Sequence, residues 1–140
     1  MLRLQHVAVT FPPGRADAIR GFYAGVLGIP EMPVPPEVAH LGWVWFSTAD
    51  AGVELHFIPH AIEPDPQRTH HFCLQVDDLA DVRGRLEAAG SEVRDAGSRI
   101  EGRDRAFVRD PVGNLVELVE MTEAGASAQR TITRAVARPP

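Results

Sequence analysis

His70-His71-Phe72-Cys73-Leu74-Gln75-Val76 decides the fold, because Leu4-Gln5-His6-Val7-Ala8-Val9 precedes it as a partial copy. Both runs are apolar and rich in branched residues, which predicts strands, and each opens on a histidine. Each has a later partner that carries a glutamate. In the first copy it is Gly52-Val53-Glu54-Leu55-His56-Phe57; in the second, Asn114-Leu115-Val116-Glu117-Leu118-Val119. His6 lies 48 residues before Glu54 and His71 lies 46 before Glu117, while the copies are offset by 65 residues at the His and 63 at the Glu. Two imidazoles and two carboxylates related by a repeat make a plausible four-ligand cage for one divalent metal.

Working outward from these strands, Phe11-Pro12-Pro13-Gly14 breaks the first one. A helix then runs from about Ala16 to Val26, with Ile19, Phe22, Tyr23, Val26 and Leu27 on one face. Gly28 is placed to end it. Ile29–Pro36 carries four prolines, so a strand there is short and at an edge. Leu41–Ser47 and Val53–Ile58 read as further strands, giving a first βαβββ module over residues 1–60. Residues 61–69, with Pro64 and Pro66, read as a linker. The second module, 70–121, repeats the pattern. Asp77 or Asp78 can cap its helix, Leu79, Val82 and Leu86 line the buried face, and Gly90 ends it. Glu92–Asp95 and Arg105–Arg109 are middle strands, Asp110-Pro111-Val112-Gly113-Asn114 is a tight turn, and Leu115–Glu120 is the last strand. Residues 122–140 form a C-terminal tail outside the repeat. Arg130, Arg134 and Arg138 are spaced to share a helical face, but Thr131-Ile132-Thr133 prefers strand, and the plain expectation is a solvated terminus.

Composition narrows the function. At 140 residues the chain buries roughly 70% of its unfolded surface, enough for a core without staples. Its single cysteine, Cys73, excludes an internal disulfide and suits a reducing compartment. A net charge of −5 without a basic run argues against nucleic acid. No stretch has the roughly 20 apolar residues of a membrane span, and the first residues lack a signal-peptide pattern, so a cytoplasmic protein is the expectation.

Strand alternation says where the polar residues point. If Val7 and Val9, Leu55 and Phe57, Phe72 and Leu74, and Val116 and Leu118 face the helices, then His6, Glu54, His71 and Glu117 all lie on the opposite side. Two curved four-stranded sheets facing each other would bring the two His–Glu pairs together. His56 shares the face of Glu54, and the two can exchange the roles of ligand and neighbour. Cys73 also lies on that face, where a buried, inert thiol is the plain reading. Trp43 and Trp45 share a face and either line an apolar pocket or pack as wall.

The strings His6-Val7-Ala8-Val9, Phe22-Tyr23-Ala24-Gly25-Val26-Leu27-Gly28, Val76-Asp77-Asp78-Leu79 and Asp110-Pro111-Val112-Gly113-Asn114-Leu115-Val116-Glu117, in this order, resemble the vicinal oxygen chelate superfamily, also called the glyoxalase/bleomycin resistance/dioxygenase superfamily. The resemblance covers roughly residues 3–121. It implies an α+β fold of two tandem βαβββ modules forming a curved, incomplete eight-stranded barrel around a cleft, usually in a homodimer. It also implies that the metal ligands fall on His6, Glu54, His71 and Glu117, the set that alternation selects. Members of the superfamily that only sequester drugs usually lack these ligands.

The resemblance implies one divalent metal (Ni, Zn, Fe or Mn) holding two adjacent oxygens of a small substrate as a Lewis acid. Glu54 or Glu117 would move a proton between neighbouring carbons, in an isomerase- or lyase-type, glyoxalase-like reaction. The glutathione-dependent bacterial enzymes have an Arg where this chain has Thr10 and an Asn where it has Ile58, so the grip on glutathione is absent. An extradiol-type Fe(II) dioxygenase, with His56 as acid/base, is the alternative. A non-catalytic protein that sequesters a small apolar ligand is another. A fosfomycin-type transferase is less attractive, because no cluster of Lys, Arg or Ser is evident on the cleft strands.

Overall fold

The computed structural model describes residues 3–48, 52–61, 65 and 67–136. The first module runs β1 (His6–Phe11), α1 (Ala16–Arg20), β2 (Glu31–Met32), β3 (Val44–Thr48) and β4 (Val53–Pro59). The second runs β5 (His71–Val76), α2 (Leu79–Ala88), β6 (Val93–Asp95), β7 (Arg103–Arg109) and β8 (Leu115–Met121). A last helix, α3 (Glu123–Val136), follows. Sheet A has the order β1-β4-β3-β2 and sheet B the order β5-β8-β7-β6, so the two modules share one topology. Both are α+β units, and the described ladders leave the sheets separate, not closed into a barrel. In each, the first strand pairs in parallel with the last, and the remaining pairs are antiparallel.

The first helix departs from the simple expectation. After Arg20 it widens into a π-helical segment, Gly21–Val26, in which Leu27 N–H donates to Phe22 O. The apolar stripe survives this: Ile19, Phe22 and Tyr23 are buried, and Val26 and Leu27 pack against the core. Gly28 at φ +75° ends the segment in a conformation that side chains with a Cβ rarely adopt. Asp78 caps α2 by accepting the N–H of Asp81 at 2.8 Å. Glu123–Val136 is a helix and not a strand. It is seated where Gly102 meets Gly125: a Cβ added to Gly125 would lie 1.9 Å from the Gly102 carbonyl oxygen. Arg138 lies outside the described residues.

One continuous core holds both modules together. It contains the helix-side residues Phe46, Leu55 and Phe57 of sheet A with Val108, Val116 and Leu118 of sheet B. Tyr23, from the first module, contacts the ring of Phe72, on β5, at 6.3 Å between centroids. Arg85 of α2 donates to Val26 O at 2.7 Å, and Asn114 Nδ2 to Thr10 O at 3.0 Å. The shared core thus lies on the helix side of both sheets, and each sheet keeps a second, open face.

Candidate metal centre

The open faces carry the expected residues. On sheet A the parallel ladder sets His6 opposite Glu54 and Ala8 opposite His56, while β3 sets Trp45 opposite His56. His56 lies 7% exposed between two rings. The His6 ring stacks on it at 4.3 Å with an interplanar angle of 11°, and Trp45 at 3.9 Å and 1°. Its Nε2 meets Glu54 Oε2 at 2.7 Å. The hydrogen bond from His56 holds the half-buried Glu54 carboxyl below its ordinary range, with a further bond from Gln5 acting the same way. His6 Nδ1 also contacts Gln5 Oε1, at 2.5 Å, which leaves Nε2 as the other ring nitrogen available to a ligand. Among the described residues Trp45 Nε1 is buried with no hydrogen-bond partner, so the ring is held by stacking and not by its polar edge.

Sheet B repeats the His–Glu motif with different support. His71 Nε2 lies 3.0 Å from Glu117 Oε2, and His71 Nδ1 donates to the Thr69 carbonyl at 2.7 Å. A histidine tied by one nitrogen to a carbonyl presents the other in a fixed direction, as metal-binding histidines do. Glu117 is 8% exposed, and burying a carboxylate requires partners. The second partner is Arg105, whose Nη1 donates to Glu117 Oε1 at 2.9 Å while Nη2 donates to Ser98 O at 2.6 Å. Each carboxylate oxygen therefore has its own neighbour, the Arg105 guanidinium at Oε1 and the His71 ring at Oε2. Cys73 is the cross-strand neighbour of Glu117. Cys73 is exposed and not buried as the sequence suggested, yet lost solvation on the sheet face, then the Glu117 charge, pushes its thiol up to about 11, so it is an inert thiol at neutral pH.

The quartet is thus present as two pairs, one on each sheet. Among the described residues no group of three or more His, Cys, Asp or Glu side chains is close enough to hold one ion. The donor chemistry nevertheless suits a divalent metal: on sheet B an imidazole and a carboxylate converge, and on sheet A His56 meets Glu54 while His6 stacks on His56. Arg105 was not singled out from the sequence, although alternation along β7 points it to the face of Glu117. The expectation that the cleft strands show no cluster of Lys, Arg or Ser meets a row of arginines. Arg103, Arg105 and Arg109 alternate along β7, on the side of Glu117. His70 and His40 make no contribution to either pair.

A family model matches residues 3–118, and its description is the Glyoxalase/Bleomycin resistance protein/Dioxygenase superfamily. The chain belongs to that superfamily. A glyoxalase family protein from Bacillus anthracis has a similar structure: 28% identity over 87% of this chain and 97% of the other, with a TM-score of 0.77. A glyoxalase/dioxygenase from Nostoc punctiforme is 20% identical over 86% and 92%, with a TM-score of 0.72. An antibiotic-binding protein from a Streptomyces species is 22% identical over 87% and 98%, with a TM-score of 0.66. The last two share the fold. Among curated proteins no sequence matches. No described helix is long and apolar enough to cross a membrane.

Proposed function

We propose that this superfamily member is a cytoplasmic, metal-dependent enzyme of the isomerase or lyase type, acting on a small substrate with two adjacent oxygens. The observation that carries the reading is the His71–Glu117 pair, matched in sheet A by His6 opposite Glu54. His6, Glu54, His71 and Glu117 would hold one divalent ion, which supplies Lewis-acid stabilisation of an oxyanion when bound. Because each sheet offers two donors on an open face, a second copy of the chain, laying sheet A against the partner's sheet B, is the simplest way to complete four ligands.

The two glutamates are suited to different work. Glu117 is buried and gives one oxygen to Arg105, which disfavours its release. Glu54 is more exposed and is held by His56 and Gln5, with His6 nearby. Glu54 is therefore the carboxylate that loosens and moves a proton between adjacent carbons, and His56 positions it. A buried, doubly stacked His56 is poorly placed to reach a substrate as the acid/base of a dioxygenase. A second reading, sequestration of a flat ligand, is favoured by the Trp43–Trp45 pair at 6.2 Å beside that stack.

The test is metal content of the purified chain with His71→Ala and Glu117→Ala variants beside it. About one divalent ion per chain, lost in both variants, supports the enzyme reading. No ion, and none taken up from Ni²⁺, Zn²⁺, Fe²⁺ or Mn²⁺, would leave ligand sequestration as the better account.

A further inference from the structure

The apolar packing is interrupted where the two modules meet. β1 and β5 are the outer strands of sheets A and B, and both border a cavity of about 820 Å³. Sites for drug-sized ligands span roughly 300–1,000 Å³. The wall is mainly apolar: Leu27, Ile29 and Val53 come from the first module, and Phe72, Leu74 and Val76 from the second. All six are only partly buried. Apolar surface left open in this way gains free energy when a ligand covers it.

A second observation falls at the same place. The π-helical turn Gly21–Val26 ends against this cavity, with Leu27 N–H donating to Phe22 O and Ile29 N–H to Tyr23 O at 2.8 Å. Such turns are rare and recur at functional sites. Here the wide turn, followed by Gly28 at φ +75°, carries Leu27 and Ile29 into the wall.

The charge of the lining says what the ligand carries. Among the described residues that line the cavity there is no Lys or Arg, and the one carboxylate is Asp77, exposed just beyond the end of β5. His71, at the edge, is tied to Glu117 and to the Thr69 carbonyl. Arg85, which approaches Gly28, is committed to Asp81 and to Val26 O. A smaller cavity of about 300 Å³ shares Val7, His71 and Phe72 with the large one and carries Arg68 and Arg109 beside Asp65. An anion is drawn to that end, and a cation to the end at Asp77.

We infer that the inter-module cavity is a second ligand site, separate from the His–Glu faces, and that it takes an apolar molecule bearing one positive charge, such as an arylalkylamine, with the charge at Asp77. Apolar contact supplies the affinity, and the exposed carboxylate adds a modest preference for the cation. No metal is needed, so the site stands apart from the reading above.

Naphthylmethylamine, naphthylmethanol and naphthoate test this, because they share one ring system and differ in charge. In calorimetric titrations at neutral pH the amine should bind about fivefold tighter than the alcohol, and the carboxylate more weakly than both. Asp77→Asn should bring the amine to the level of the alcohol. Val53→Phe, which fills the cavity from an apolar position, should weaken amine and alcohol alike by about tenfold. Methyl NMR signals of Leu27, Ile29 and Leu74 should shift on titration, with or without a chelator. Four results would each overturn the inference: naphthoate binding as tightly as the amine, no binding at millimolar concentration, an unchanged preference in Asp77→Asn, or shifts confined to the indole signals of Trp43 and Trp45. Unweakened binding by a folded Val53→Phe variant would do so too. Should that variant fail to fold, as read by circular dichroism, Asp77→Asn and the methyl shifts decide.

Discussion

The hydroxyl of Tyr23 donates to Asp110 Oδ2 at 3.0 Å, inside the core, and so ties the first helical segment of one module to the turn before the last strand of the other. Asp110 is 3% exposed and its remaining capacity is filled by the N–H groups of Val112 and Asn114 and by the Asn114 side chain. The Asp-Pro-Val-Gly-Asn turn therefore does more than reverse the chain; it supplies the buried acceptor that docks the modules.

Tyr23→Phe should lower the unfolding free energy by about 1–2 kcal/mol, read from urea denaturation, because it removes one buried hydrogen bond and leaves the ring in place. Loss of stability below a few tenths of a kcal/mol would show the bond to be idle. Burial raises the Asp110 carboxyl above its ordinary range, against the pull of its hydrogen bonds. A raised folded-state value favours the protonated form in the native protein. Its stabilising contribution is then complete below the ordinary aspartate range and fades as pH rises through the raised value. The stability of the native protein relative to Asp110→Asn should accordingly fall across that acidic window.

Gly125→Ala tests the seating of α3. The added methyl would meet backbone of the Gly102 turn, which no rotamer change relieves. Amides of residues 123–136 should exchange hydrogen at least about tenfold faster, with β5–β8 little affected. Unchanged exchange would mean that α3 adjusts without cost.

Removing the guanidinium at Arg105 leaves Glu117 buried without its cationic partner. If Glu117 is a metal ligand, Arg105→Gln should weaken divalent metal binding about tenfold, the scale typical of groups that orient a ligand. A variant that binds metal as the parent does would separate Arg105 from the centre.

Cys73 offers a reporter of the Glu117 charge. A thiol pushed up to about 11 is almost wholly protonated at pH 8. Iodoacetamide should therefore label the native chain about 100-fold more slowly than the urea-unfolded chain. Glu117→Gln removes one cause of the shift while Arg103 and Arg105 remain, and it should speed labelling. Rapid labelling of the native protein would contradict this environment.

Much of this was legible in the chain itself. Its internal repeat specified two βαβββ units, and the alternation in Leu4–Val9, Val53–Phe57, His71–Val76 and Leu115–Val119 put His6, Glu54, His71 and Glu117 opposite the helix-packed stripes. Those features depend only on the two-residue period of a strand, which is local. Alternation along Arg103–Arg109 would have exposed the arginine row in the same way. What waited on the tertiary structure was which groups touch. The stacking of His56 between His6 and Trp45, the clasp of Arg105 on Glu117, and the common core that leaves both His–Glu faces open arise from register and packing between residues distant in sequence. Local periodicity fixes the side of a sheet on which a residue stands; its neighbours there are chosen only when the strands align and the modules dock.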